Sequence, residues 1–175
     1  MTPSEGWWVL KAQAGDRDAL DRLLRGIHDP LLRFVTRMTG DRTAADDILQ
    51  DTLLIVARKL QWLDRPEAFR PWAYRIAART AMKALRRERR RFLPIDRDAD
   101  VEAAQALIVE PPPDLLERLP ELVASVSPAS RAVLLLHFME GLPLQAVSDI
   151  LEIPLGTVKS RLAYGLRVLR ERVNP

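Results

Sequence analysis

The chain has 175 residues, 47% of them hydrophobic, a formal net charge of +3 and no cysteine. That length supports one sizeable domain or two small ones, while the missing thiols exclude disulfides and thiolate metal sites. No stretch approaches the ~18 apolar residues of a membrane span, and no cationic start precedes an apolar run, so the composition predicts a soluble cytoplasmic protein without membrane insertion.

No run alternates apolar and polar residues over strand length, and β-hairpin turn pairs are missing, so the whole chain reads as helix. Residues 4–92 hold several helical segments, punctuated at Gly15-Asp16, Asp29-Pro30, Gly40-Asp41 and from Asp64 to Pro66. Of the pair Trp7-Trp8, one indole is expected to pack and the other to stay exposed. From Thr43 to Leu60, Ala45, Ile48, Leu49, Thr52, Leu53, Val56 and Leu60 form an apolar stripe at helical spacing. The other side carries Asp46, Asp47, Gln50 and Asp51 with Leu54 among them, and Arg58 follows on the same ridge. This pattern fits a solvated face, or a docking ridge for a basic protein surface with Leu54 as its apolar anchor. Asp47 and Asp51 are one turn apart, but no histidine or third carboxylate completes a shell around them, so no metal is expected.

Charge changes abruptly further along. Arg70 to Arg91 contains nine Lys/Arg and one acid. Arg75, Arg79, Lys83, Arg86, Arg87 and Arg90 gather on one side of a predicted helix, opposite Ala73, Ile76, Ala77, Thr80, Ala84 and Leu85. Like charges at that spacing repel, and phosphates are the economical counter-ions. Trp62, Phe69, Trp72 and Tyr74 interleave with Arg65, Arg70 and Arg75, as single-stranded nucleic acid requires, because unstacked bases need a flat surface. Core packing is the competing use of these rings, expected for Trp72 and for one of Trp62 and Phe69. From Pro94 to Asp114 the balance reverses to six acids and one arginine. With Pro111-Pro112-Pro113, this marks residues 93–113 as an acidic, proline-containing linker, in which Val101–Val109 has the composition of a short helix.

Helices resume at Asp114, and Ser127-Pro128 reads as an N-cap followed by proline at the first helical position. Gly141 suits a helix end and Pro143 the start of the next. Leu142–Leu151, a turn Glu152-Ile153-Pro154 and a second segment from Leu155 then spell a helix-turn-helix, the arrangement that offers a helix to the DNA major groove. Val158, Leu162, Leu166, Leu169 and Val173 make its inner face. Thr157, Lys159, Ser160, Arg161, Tyr164 and Arg167 face outward, with the first cations in the turns that reach base edges. An ordinary helical hairpin with a solvated basic face is the alternative. His28 and His137 stand alone and read as structural. No nucleophile–base pair or phosphate-binding glycine loop is present, so neither a catalytic residue nor a cofactor is expected. The predicted fold is all-α, two small helical domains on a tether: 1–92, the linker 93–113, and 114–175.

Five blocks in order carry a family likeness: Gly15–Leu20, Ala44–Asp51, Phe69–Ala77, the arginine run, and Gly141-Leu142 with Ile153–Leu162. Together they closely resemble bacterial extracytoplasmic-function (ECF) sigma factors of RNA polymerase. The resemblance implies a transcription initiation factor without catalysis of its own. It assigns Asp46, Asp47, Gln50, Asp51 and Leu54 to the clamp helices of the polymerase largest subunit. It assigns Trp62, Arg70, Trp72, Arg75, Arg79, Lys83, Arg86, Arg87 and Arg90 to the −10 promoter element, duplex and melted strand. Thr157, Lys159, Ser160, Arg161, Tyr164 and Arg167 fall to the −35 element, with the polymerase flap as a further partner. Members commonly pair with an anti-sigma protein. Departures are local: Arg79 and Lys83 stand where asparagine and aspartate are frequent, Pro143 replaces a serine cap, and Gln145 replaces glutamate. The rival reading is a stand-alone helix-turn-helix regulator that binds operators as a dimer, which leaves the acidic ridge and the aromatic-cation segment unexplained.

Overall fold

The computed structural model describes residues 4–92 and 113–173, with side chains described for 4–88 and 118–173. Among these residues the regular elements are all helical. The chain divides into two compact units, Met1–Thr36 with Asp41–Ala81, and Arg37–Gly40 with Met82–Pro175.

The first unit opens with α1 (Glu5–Gln13), capped by Ser4, whose hydroxyl accepts from the Trp7 N–H. Gly15 takes φ +97°, the left-handed backbone that ends a helix at little cost only with glycine. Asp16 then caps α2 (Arg17–Thr39) by accepting from the Ala19 N–H at 3.0 Å. That bond, and then the Lys11 ammonium 3.1 Å away, hold the Asp16 carboxyl below the usual carboxylate range.

Contrary to the break expected at Asp29-Pro30, α2 continues through Pro30. Proline removes one intrahelical bond and crowds the carbonyl four residues earlier. That carbonyl belongs to Gly26, which is exposed and has open space around its Cα. On both sides of Pro30, Leu23, Ile27, Leu31, Phe34 and Val35 are buried, and this packing carries the helix across the defect.

Gly40 and the N-cap Asp41, which accepts from the Thr43 N–H at 2.9 Å, start α3 (Arg42–Lys59). A 3₁₀ turn, Leu60–Trp62, and a second, Pro66–Ala68, lead into α4 (Phe69–Phe92). Phe34 of α2 meets Tyr74 of α4 edge to face, with ring centroids 5.5 Å apart.

In the second unit, α5 (Pro113–Leu122), α6 (Pro128–Leu134) and α7 (Leu144–Leu151) pack against α8 (Leu155–Val173). Ser127 caps α6 as its sequence indicated. A π-helical turn, Leu135–Met139, extends α6, and Gly141 at φ +67° ends it. The His137 Nδ1–H donates to the Leu142 carbonyl at 2.7 Å, a structural use of that ring. Pro143 occupies the N-cap of α7 with extended backbone and no side-chain hydrogen bond. At the other end Glu152 takes φ +54°, where Ser148 Oγ donates to the Ile153 carbonyl at 2.6 Å and steadies the turn. Arg131 is buried in α6 and donates to the Ala124 and Val126 carbonyls at 2.7 and 3.1 Å. Burial pushes its guanidinium below its ordinary pKa.

Candidate functional site

Three surfaces emerge from these helices. The first lies on α3. Ala45, Ile48, Leu49, Thr52 and Val56 are buried, which fixes the rotation of the helix and turns Asp46, Asp47, Gln50, Asp51, Leu54 and Arg58 outward. Asp46 pairs with Arg42 one turn earlier at 3.3 Å. Leu54 is 47% exposed within this polar ridge. Beside it lies a shallow depression lined by His28, Asp46, Leu49, Gln50, Leu53 and Leu54. Sequence reasoning missed His28 and Leu53 here: one stood alone on α2, the other read as core, and only the crossing of α2 and α3 brings them to one rim. Among the described residues no three histidine or carboxylate groups converge on a metal position.

The second surface runs from the Leu60–Trp62 turn along α4. Of the two aromatic candidates for core, Phe69 is fully buried and Trp62 is 67% exposed. Trp72 is half-buried, its ring 6.3 Å from that of Phe69. Arg70 is exposed, with Nε 2.9 Å from Glu5 of α1, so part of its charge is already answered inside the unit. Arg75 is half-buried, whereas Arg79, Lys83, Arg86 and Arg87 are exposed. The Arg90 side chain, like the linker and its Val101–Val109 segment, lies outside the described residues. Helix α1 carries an aromatic pair of its own: Trp7 is 41% exposed and Trp8 half-buried, their rings edge to face at 4.6 Å. Lys11 sits over Trp7 and Arg22 over Trp8.

The third surface is the outer side of α8. Val158, Leu162, Leu166 and Leu169 are buried as their spacing requires. The outer residues are less open than their positions suggested. Lys159 and Arg167 are exposed, while Thr157, Ser160, Arg161 and Tyr164 are half-buried. Ser160 Oγ donates to the Thr157 carbonyl at 3.0 Å, and its lone pairs still accept. Arg167 lies over the Tyr164 ring and pairs with Glu171 at 3.1 Å, an exposed ion pair of little strength. Together α7, a three-residue turn and α8 form a helix-turn-helix with a cation in the first turns of its second helix.

Comparison with known proteins gives these surfaces a family. The model of sigma-70 region 2 matches residues 23–91 and that of sigma-70 region 4 matches residues 122–171. The chain is 25% identical to the ECF RNA polymerase sigma factor SigW of Bacillus subtilis over 94% of both chains. It is 28% identical to the RNA polymerase sigma-H factor of Pseudomonas aeruginosa, covering 95% of this chain and 92% of that one. The fold is also similar to that of the sigma factor RpoE of Bartonella quintana, solved in complex with the anti-sigma factor NepR, with a TM-score of 0.66, 19% identity, and coverage of 89% and 98%. An all-helical chain with a region 2 and a region 4 in this order is an RNA polymerase initiation subunit. The protein belongs to the ECF sigma factors. Among the described residues no helix is long and apolar enough to cross a membrane.

Proposed function

We propose that the three surfaces divide the work of initiation, with no catalytic step in the chain itself. Residues 1–92 act as the region that docks on core polymerase through Asp46, Asp47, Gln50, Asp51 and Leu54. Trp62 and the cationic side of α4 meet the −10 element and hold an unstacked base. Residues 114–175 read the −35 element as duplex through α8, and 93–113 form the tether. The observation that carries this reading is the exposure of Trp62 at the entrance to a helix of cations. An indole left in water forgoes about 1.5–3 kcal/mol of burial, whereas stacking on a base returns about 1–3 kcal/mol. Trapping such a base offsets an unpairing cost of a few kcal/mol. Each DNA-reading surface is small, so the free protein binds promoters weakly and with strong salt dependence. Polymerase then joins the two contacts by fixing their spacing. An anti-sigma protein that covers one of these surfaces, as the RpoE–NepR pair suggests, is the matching class of regulator.

Run-off transcription with core polymerase on a library of promoter fragments tests the whole scheme. Discrete transcripts that require the protein support it; a dimer that binds fragments alone and never redirects polymerase overturns it. Within that assay Trp62→Ala is expected to associate with polymerase normally and to slow opening of duplex promoters roughly tenfold, as loss of one base–aromatic stack implies. A premelted template should restore it. Arg161→Ala is expected to leave polymerase association intact and to weaken −35 recognition by about tenfold or more, since a good side-chain–base contact commands about 1–3 kcal/mol. Unchanged discrimination among −35 sequences would remove Arg161 from the reading surface.

A further inference from the structure

The side chain of Trp62 is too exposed to be positioned by its own packing, so something else must set the backbone that displays it. The contacts of α1 supply the answer. The Gln13 side-chain amide donates from Nε2 to the Leu60 carbonyl and to the Leu63 carbonyl, both at 2.9 Å and partly buried. These two oxygens bracket Trp62 in the chain. The Leu60 carbonyl also receives the Leu63 N–H at 3.0 Å, which closes the 3₁₀ turn. One glutamine amide thus adds a side-chain hydrogen bond to each carbonyl with its two hydrogens.

A second tie holds the other end of the same loop. Glu5, one α1 length earlier, pairs with Arg70 at the start of α4, at 2.9 Å. Between the two ties α1 lies directly on the Pro66–Ala68 turn: a Cβ on Gly6 would stand 3.6 Å from the Glu67 nitrogen. The loop from Leu60 to Arg70 is thus fastened at both ends to a helix that carries none of the assigned promoter contacts.

We propose that Gln13 is a positioning residue for promoter melting, acting through the Leu60–Leu63 backbone on Trp62. This rests on the reading of Trp62 given above. The chemistry makes the test sharp. Gln13→Glu keeps the shape but puts carboxylate oxygen opposite two carbonyl oxygens, so both bonds give way to repulsion. Gln13→Lys places an ammonium with three donors at the end of a longer, flexible stem and restores donation.

The experiment uses the full chain with core polymerase on a duplex promoter recovered from the run-off selection and on the same sequence premelted. Association with polymerase is read by fluorescence anisotropy, and strand opening by permanganate reactivity of unpaired thymines. Gln13→Glu is expected to bind polymerase within about twofold of the parent, to open the duplex about tenfold more slowly, the scale set by one to two net hydrogen bonds, and to recover on the premelted template. Gln13→Lys should open the duplex close to the parental rate. If Trp62→Ala is slow while Gln13→Glu opens normally, the brace is wrong and the Trp62 reading stands. If Gln13→Glu loses polymerase association along with opening, its role is general folding and the proposal falls. Parental opening by Trp62→Ala overturns the Trp62 reading and this proposal with it.

Discussion

Leu54→Asp is expected to abolish association with core polymerase, and Asp47→Arg to do the same, each lowering affinity by at least about 30-fold, the scale of an interface residue that contributes 2 kcal/mol or more. The two changes attack different parts of one contact. Leu54 is the apolar residue of the ridge and stands beside the depression lined by His28, Leu49, Gln50 and Leu53. An aspartate there is buried without a partner on docking, which is costly in itself. Asp47→Arg instead reverses the sign of the ridge against a basic surface, and like charges across an interface repel. Neither change should disturb the fold, because both side chains are exposed and surface substitutions usually stay within about 0.5 kcal/mol. The check is anisotropy against core polymerase beside thermal denaturation of the free protein. Normal binding by both variants would sink the docking assignment. Loss of binding together with a lowered melting temperature would show that the ridge is structural instead.

Local structure and tertiary support were legible in the sequence to different degrees. Helical periodicity placed the buried stripes of α3 and α8, because burial of one face is what a 3.6-residue repeat encodes. Local capping chemistry was equally readable at Ser127 and Gly141, which sit where their backbone preferences put them, though not at Glu152, whose φ of +54° is one a glutamate seldom adopts. Tertiary support was not. Pro30 read as a break because a local rule says so, while the packing of Leu23, Ile27, Leu31 and Phe34 on either side overrides it. Between Trp62 and Phe69 composition offered no choice; only the path of the chain through two 3₁₀ turns exposes one and buries the other. Gln13 and Arg131 were invisible for the same reason. Their partners are backbone carbonyls, which every residue possesses, so no residue type marks them. The half-burial of Arg161 and Tyr164 belongs to this group too, since it depends on how closely the helices of the second unit pack around α8.

That closeness within the second unit gives the other large effect, at Gly165→Val. Glycine inside a helix costs about 1 kcal/mol relative to alanine, so its place in the buried stripe of α8 needs a compensating contact. The contact is with α6: a Cβ on Gly165 would lie 2.8 Å from Leu134 Cδ1 and 3.2 Å from its Cγ. Leu134 is fully buried, so its side chain has no solvent to move into. Valine adds three carbons at the point of closest approach and is expected to cost about 2–3 kcal/mol, the upper part of the range for an overpacked core. For a unit of this size that lowers the melting temperature by roughly 8–20 °C. Gly165→Ala separates the causes, because its gain in helix propensity opposes a smaller clash; it should lie within about 1 kcal/mol of the parent. The functional consequence follows from what each surface rests on. The ridge of α3 is built by residues of the other unit, so Gly165→Val should keep polymerase association while −35 recognition fades as α8 loses its seat. Calorimetry of the full chain and binding to core polymerase decide it. A variant as stable as the parent would mean that α6 and α8 can separate freely, and that the orientation of the reading helix is set elsewhere than at this crossing.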